Sequence, residues 1–296
     1  MKKLIGLSII ALSVILFSCN NEKVTNPAND EVLTEKAAQI TLNEAEMESA
    51  SLEVNYEVDF YANAEVRLCN GFGMGKLWKW GNHLRYRINN CPLVNIESET
   101  GGYPKTITLD YGDSTVLRNG KVLSGVVLIE ISGPRSSEDY TRLITYQDFG
   151  VDSVLINGTA SVAFTKGEDV FRTFESTIIF TLADGTTVNR ESVRQWQWIE
   201  GMNTDVDQTD DMIQITGYTN AETSDGDVYK KEIVDPLIRI RDCPYIVQGV
   251  VDISMNGDLI SSLDYGEGEC NDMAILTKDG ETYEVELHLR KYVKKN

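Results

Sequence analysis

The segment Val250-Val251-Asp252-Ile253-Ser254-Met255-Asn256-Gly257-Asp258-Leu259-Ile260-Ser261-Ser262-Leu263 decides the fold. Apolar residues alternate with polar ones, which is the period of a strand. Asn-Gly at the centre supplies the positive φ angles that a two-residue hairpin turn requires. The same punctuation recurs at Gly101-Gly102, Asn119-Gly120, Asn157-Gly158, Asp184-Gly185, Asp225-Gly226 and Asp279-Gly280. Asn157-Gly158-Thr159 also fits a glycosylation sequon, but it is read here as a turn. Between these dipeptides the β-branched and aromatic runs are mostly nine to fourteen residues long, and nothing after residue 70 reads as a long helix. The expectation is an all-β body over 66–296. It is a long antiparallel meander of roughly ten to twelve strands, as a curved open sheet or a barrel- or sandwich-like closure.

Upstream the grammar differs. From Glu22 to Glu65 there are eleven acidic residues and two lysines. Thr41 to Ala64 is rich in Glu and Ala and free of Gly and Pro. Met47, Ala50, Val54, Val58 and Tyr61 fall on one helical face. The strand alternative, with Leu52, Val54, Tyr56, Val58 and Phe60 alternating, is weaker because the Glu/Ala richness starts before the alternation. An acidic helix over 33–65 is therefore expected, its charges forming a solvated face.

The first residues carry an address. Lys2 and Lys3 precede a 14-residue apolar stretch, Leu4 to Phe17, which is too short to span a bilayer comfortably and has the flanks of a secretory signal. Leu16-Phe17-Ser18-Cys19 resembles a bacterial lipobox, although Phe17 is bulkier than the usual occupant of its position. The resemblance implies a signal peptide at 1–18, lipidation of Cys19 and membrane attachment through acyl chains, each buried methylene contributing about 0.8 kcal/mol. Residues 19–32, rich in Asn, Glu, Asp and Pro, read as a flexible tether.

An internal duplication is visible. Arg87-Ile88-Asn89-Asn90-Cys91-Pro92 lines up with Arg239-Ile240-Arg241-Asp242-Cys243-Pro244, and Leu109-Asp110-Tyr111-Gly112 with Leu263-Asp264-Tyr265-Gly266. Two hairpin units at about 85–131 and 237–287 thus flank a central meander. Tyr103-Pro104-Lys105-Thr106-Ile107-Thr108-Leu109-Asp110-Tyr111-Gly112, together with Gly120-Lys121, Ser124-Gly125 and Trp198-Ile199-Glu200-Gly201, is similar to uncharacterised Bacteroidota cell-envelope lipoproteins. The resemblance implies an envelope location, on the outer membrane, and a β-rich body, but no activity. At Thr115 the sequence departs from that pattern, where a cysteine is usual.

Export places the cysteines in an oxidising compartment. If Asn256-Gly257 is a two-residue turn, paired residue numbers sum to 513, which sets Cys243 opposite Cys270, subject to a bulge near Gly266-Glu267-Gly268. Cys69 and Cys91 are then left for each other.

Composition narrows the function. A formal charge of −19 argues against nucleic-acid partners. His83 and His288 are the only imidazoles, too few for a His-rich zinc site or a Ser-His-Asp triad. Asp205, Asp207 and Asp211 make a weak Ca²⁺ candidate, but the loop lacks an EF-hand's Gly and Glu and reads better as an exposed turn. Trp78 with Trp80, and Trp196 with Trp198, lie two apart and so share a strand face, which is either a sugar-stacking platform or core. Arg190 and Arg194 share the parity of the second pair. Asp110 and Asp264 could suggest a hydrolase carboxylate pair, but acid before Tyr-Gly is ordinary turn chemistry, so no catalytic residue and no cofactor is assigned. The expected function is binding or structural at the envelope, with the membrane and a glycan or envelope protein as partners. A surface glycan-binding module is the first alternative and a carbohydrate-active hydrolase the second.

Overall fold

A computed structural model describes residues 27–64, 91–99, 101–117, 120–165, 170–201, 211–240, 243, 245–278 and 280–286. Among the described residues one helix, α1 (Pro27–Ala64), precedes fourteen strands. They are β1 (Leu93–Glu97), β2 (Lys105–Asp110), β3 (Thr115–Val116), β4 (Val122–Ile131), β5 (Tyr140–Val151), β6 (Val154–Thr165), β7 (Phe171–Thr181), β8 (Thr187–Glu200), β9 (Met212–Thr223), β10 (Val228–Ile240), β11 (Ile246–Met255), β12 (Asp258–Glu267), β13 (Met273–Lys278) and β14 (Glu281–Glu286). All belong to one antiparallel sheet in nearly sequential order, with only the short β3 set aside against β4. The sheet is open, ending on β1 and β14.

The helix begins at Pro27, inside the stretch expected as tether. Its apolar stripe is buried as the spacing predicts: Met47, Ala50, Val54, Val58 and Tyr61 are each 3% exposed or less, whereas Leu52 and Tyr56 of the strand alternative face solvent. Burying one such side chain contributes about 1.5–3 kcal/mol. The stripe packs into a single core with Ile107, Leu109, Val127, Ile129, Phe149 and Ile156 from the sheet. Strands β4 and β12 lie far apart in the sheet order, yet both reach α1. The sheet therefore curls around the helix, whose 38 residues extend about 57 Å.

Strand-interior glycines accommodate the curl. Gly217 has φ +141°, and a Cβ there would lie 2.1 Å from the carbonyl oxygen of Val193 on the neighbouring strand. Gly158 has φ +128° and faces the Thr177 carbonyl at 2.3 Å. Without side chains the backbones can approach at a bend. Gly158 also corrects an expectation: Asn157-Gly158 is not a turn but lies inside β6, because the β5–β6 turn is made by Asp152-Ser153. The Asn157 side chain caps a kink in β5, accepting from the Asp148 amide at 2.8 Å.

Other turns fall where the dipeptides put them. Asp184-Gly185, Asp225-Gly226 and Asn256-Gly257 join β7–β8, β9–β10 and β11–β12. Asn256 and Gly257 have φ of 53° and 91°. These turns and Asp152-Ser153 lie at one end of the sheet, the turn end. The connections at 98–104, 132–139 and 268–272 lie at the other, the loop end.

Candidate functional site

The interior of the curled sheet is charged, which was not expected. On β5, β7 and β8 alternate side chains point at α1, and this inward set includes Arg142, Arg172, Arg190 and Arg194; Lys231 joins them from β10. The helix answers with acids that flank its apolar stripe. Glu44, Glu53 and Glu57 are each 3% exposed or less, so the acidic run is not simply a solvated face. Arg142, with its side chain 1% exposed, is fully engaged. It donates to Asp59 at 2.6 Å, to Asn63 at 2.7 Å and to the Tyr140 hydroxyl at 2.7 Å. Arg172 also reaches Asp59, at 3.3 Å.

One turn of helix gathers a second cluster. Glu48 takes Arg194 at 2.5 Å, Lys231 at 2.9 Å and Arg190 at 3.1 Å, while Glu44 accepts from the Tyr229 hydroxyl at 2.7 Å. Burial works to raise the Glu48 carboxyl, but Arg194, Lys231 and Arg190 together hold it well below the carboxylate range. Burial and the neighbouring Glu44 push the Tyr229 phenol far up, so it stays a neutral donor.

The duplicated Asp-Tyr-Gly sequences have the same local use. Asp110 accepts from the Gly112 amide at 2.8 Å, and Asp264 from the Gly266 amide at 2.8 Å. The tyrosine between them turns inward to a helix acid. Tyr111 donates to Glu57 at 2.5 Å, and burial together with the nearby Glu48 pushes Tyr265 up to about 12. The two units differ in register. Asp110 pairs with Leu93, two residues after Cys91, whereas Asp264 pairs with Val250, seven after Cys243. Asp110 is committed to the turn that follows β2 and Asp264 to an irregularity inside β12, on strands with β4 to β11 between them along the sheet. This is a structural use, and it gives no support to a carboxylate pair.

Trp196 is partly buried on the inward face. Arg172 stacks over its ring at 4.9 Å, and Phe174 meets it edge-on at 6.0 Å. Trp198 shares that face toward the loop end and is also half-buried. Trp78 and Trp80 lie outside the described residues, as do Cys19, Cys69, Asp205 and Asp207. Asp211 is buried, 7% exposed, where the chain enters β9, rather than standing on an exposed turn. Among the described residues no group of three or more His, Cys, Asp or Glu side chains is arranged to hold a metal ion.

Cys243 and Cys270 form a disulfide with Cα atoms 5.7 Å apart. Near the turn the register is the expected one, Met255 opposite Asp258. Irregularities in the β11–β12 ladder then shift it to Val250–Asp264 and to Gln248–Glu267. The bridge therefore closes between segments just beyond the paired strands rather than between directly opposed residues. Cys91 is also disulfide-bonded.

Sequence spacing held a signal for the acids. Glu44 and Glu48, and Glu53 and Glu57, stand four apart beside the apolar stripe, where side chains share a helix face. Arg142 and Arg172 could not be paired with them in advance, since each meets Asp59 across more than 80 residues. No protein-family model, no curated protein and no solved structure matches this chain. The fold is an open antiparallel meander curled around an acidic helix. Among the described residues no helix is long and apolar enough to cross a membrane.

Proposed function

We propose that the chain is a lipid-anchored protein of the bacterial cell envelope, attached through Cys19, that acts by binding or as structure. The observation that carries the anchor is Leu16-Phe17-Ser18-Cys19 at the end of the basic-then-apolar leader. A non-catalytic role is supported by how the interior charges are used, Arg142, Arg190, Arg194 and Lys231 all being engaged by carboxylates of the chain's own helix. The test is Cys19→Ala. The variant should leave the membrane fraction or accumulate as uncleaved precursor, and normal processing with unchanged partition would overturn the proposal.

A second reading, a surface glycan-binding module, draws on Trp196 and Trp198, which keep partial exposure on one face. It expects Trp198→Ala to weaken retention on a glycan array while unfolding stays cooperative. Loss of cooperativity would assign the ring to the core, where Trp→Ala costs about 3–5 kcal/mol.

A further inference from the structure

The helix has a direction within the sheet, and that direction fixes which end of the protein meets a membrane. Lys36 stands 2.5 Å from Asp227 in the β9–β10 turn, and Glu46 accepts from Ser153 in the β5–β6 turn at 3.1 Å. Further along, Asp59 and Asn63 meet Arg142 near the opposite end of β5. The helix therefore enters the sheet at the turn end and finishes toward the loop end. Pro27 precedes Lys36 by nine residues, about 14 Å along a helix axis. Cys19 is eight residues before Pro27, a span of at most about 28 Å however the chain runs.

The loop end lies a strand length farther away, about 40 Å for the 12 residues of β5. For the loop end to touch a bilayer, the eight residues would have to run back past the helix overhang and the full length of the sheet. That path exceeds about 50 Å, nearly twice their reach.

Resting on the lipid anchor proposed above, we infer that the turn end, carrying Asp152-Ser153, Asp184-Gly185, Asp225-Gly226 and Asn256-Gly257, faces the lipid surface. The loop end, carrying 98–104, 132–139 and 268–272, points away from it. The turn tips suit that place. The tip residues themselves carry short polar side chains, Asp152 being paired to Lys121 at 2.5 Å, while Val116, Val228 and Leu259 are exposed just behind them. This end faces the headgroups without inserting, and the acyl chains supply the attachment. The surface left for a partner approaching from solvent is the loop end.

Energy transfer tests the orientation. The full lipidated protein is bound to phosphatidylethanolamine–phosphatidylglycerol vesicles bearing a headgroup-linked acceptor. A fluorescent amino acid replaces either Asp225, at the turn end, or Ser136, at the loop end; both positions are exposed. Transfer from position 225 should exceed that from position 136 several-fold. Equal or reversed transfer from protein that still floats with the vesicles overturns the orientation and leaves the anchor standing. If the chain with Cys19 intact floats no better than Cys19→Ala, the anchor reading falls and the orientation with it.

Discussion

Glu48 shows how a carboxylate is kept inside a β protein. Partial burial alone would disfavour its charged form and raise its pKa. Arg194, Lys231 and Arg190 reverse the balance and lower its pKa well below 4.5. The sign for stability follows. A carboxylate whose folded pKa lies below its unfolded one stabilises the fold fully above the unfolded value, and the contribution is lost as pH falls through the folded value. The melting temperature of the wild type should fall on acidification below about pH 4.5, near that ordinary value. Glu48→Gln should be the less stable protein at pH 7, and the gap between the two should close as pH is lowered. Thermal melts at stepped pH measure it. A gap that is constant or widens toward acid would show that the three cations do not hold the charge. The acid was visible in the sequence as one of many. That it is half-buried among cations was not, because its partners sit on β8 and β10, more than 140 residues away.

Among the elements, the helix was legible in outline because its signal is local. The Glu/Ala richness and the 47-50-54-58-61 stripe need only 3.6-residue geometry. The hairpins were legible because Asp-Gly and Asn-Gly impose a backbone conformation with little help from the rest of the fold. Asn157-Gly158 misled for a physical reason. The same freedom that lets glycine turn a hairpin lets two strands approach inside a bend, and only the packing of β6 against β7 tells the two apart. Gly217 makes the point testable. Alanine there would set a Cβ 2.1 Å from a backbone carbonyl at a φ that L-residues rarely adopt. Gly217→Ala should destabilise by about 1–3 kcal/mol, the usual magnitude for strain of this kind. Denaturant melts would show it as a lower midpoint at unchanged slope.

At the scale of the molecule, sheet and helix share one core. Ile107, Leu109, Val127, Ile129, Phe149 and Ile156 share a core with the helix stripe, and the inward guanidiniums find their counter-charges on the same helix. Breaking a buried ion pair by removing one partner costs about 3–5 kcal/mol. A chain lacking residues 27–64 would lose the acids of both clusters together with the apolar stripe, against a total stability of about 5–15 kcal/mol. Such a truncation is expected not to fold. Near-ultraviolet circular dichroism and gel filtration should find it aggregated or without fixed tertiary structure, and a cooperative melt would show the sheet to be independent of its helix.

The division between sequence and structure follows the range of each interaction. Alternation, turn dipeptides and the helical stripe act within a few residues, so the all-β class, the antiparallel meander, the leading helix and the 243–270 bridge could be read along the chain. The lipobox reading is likewise local, and the orientation on the membrane combines it with the helix direction that the fold supplies. Tertiary structure alone decided that the sheet stays open and curls around the helix, that ladder irregularities carry the disulfide past the ends of its strands, and that acids suited to solvent instead meet arginines in the interior. Each of these depends on where strands far apart in sequence come to lie. A carboxylate at Glu48 reads the same whether water or Arg190 is opposite it, because its charge is a property of the residue and its burial a property of the packing.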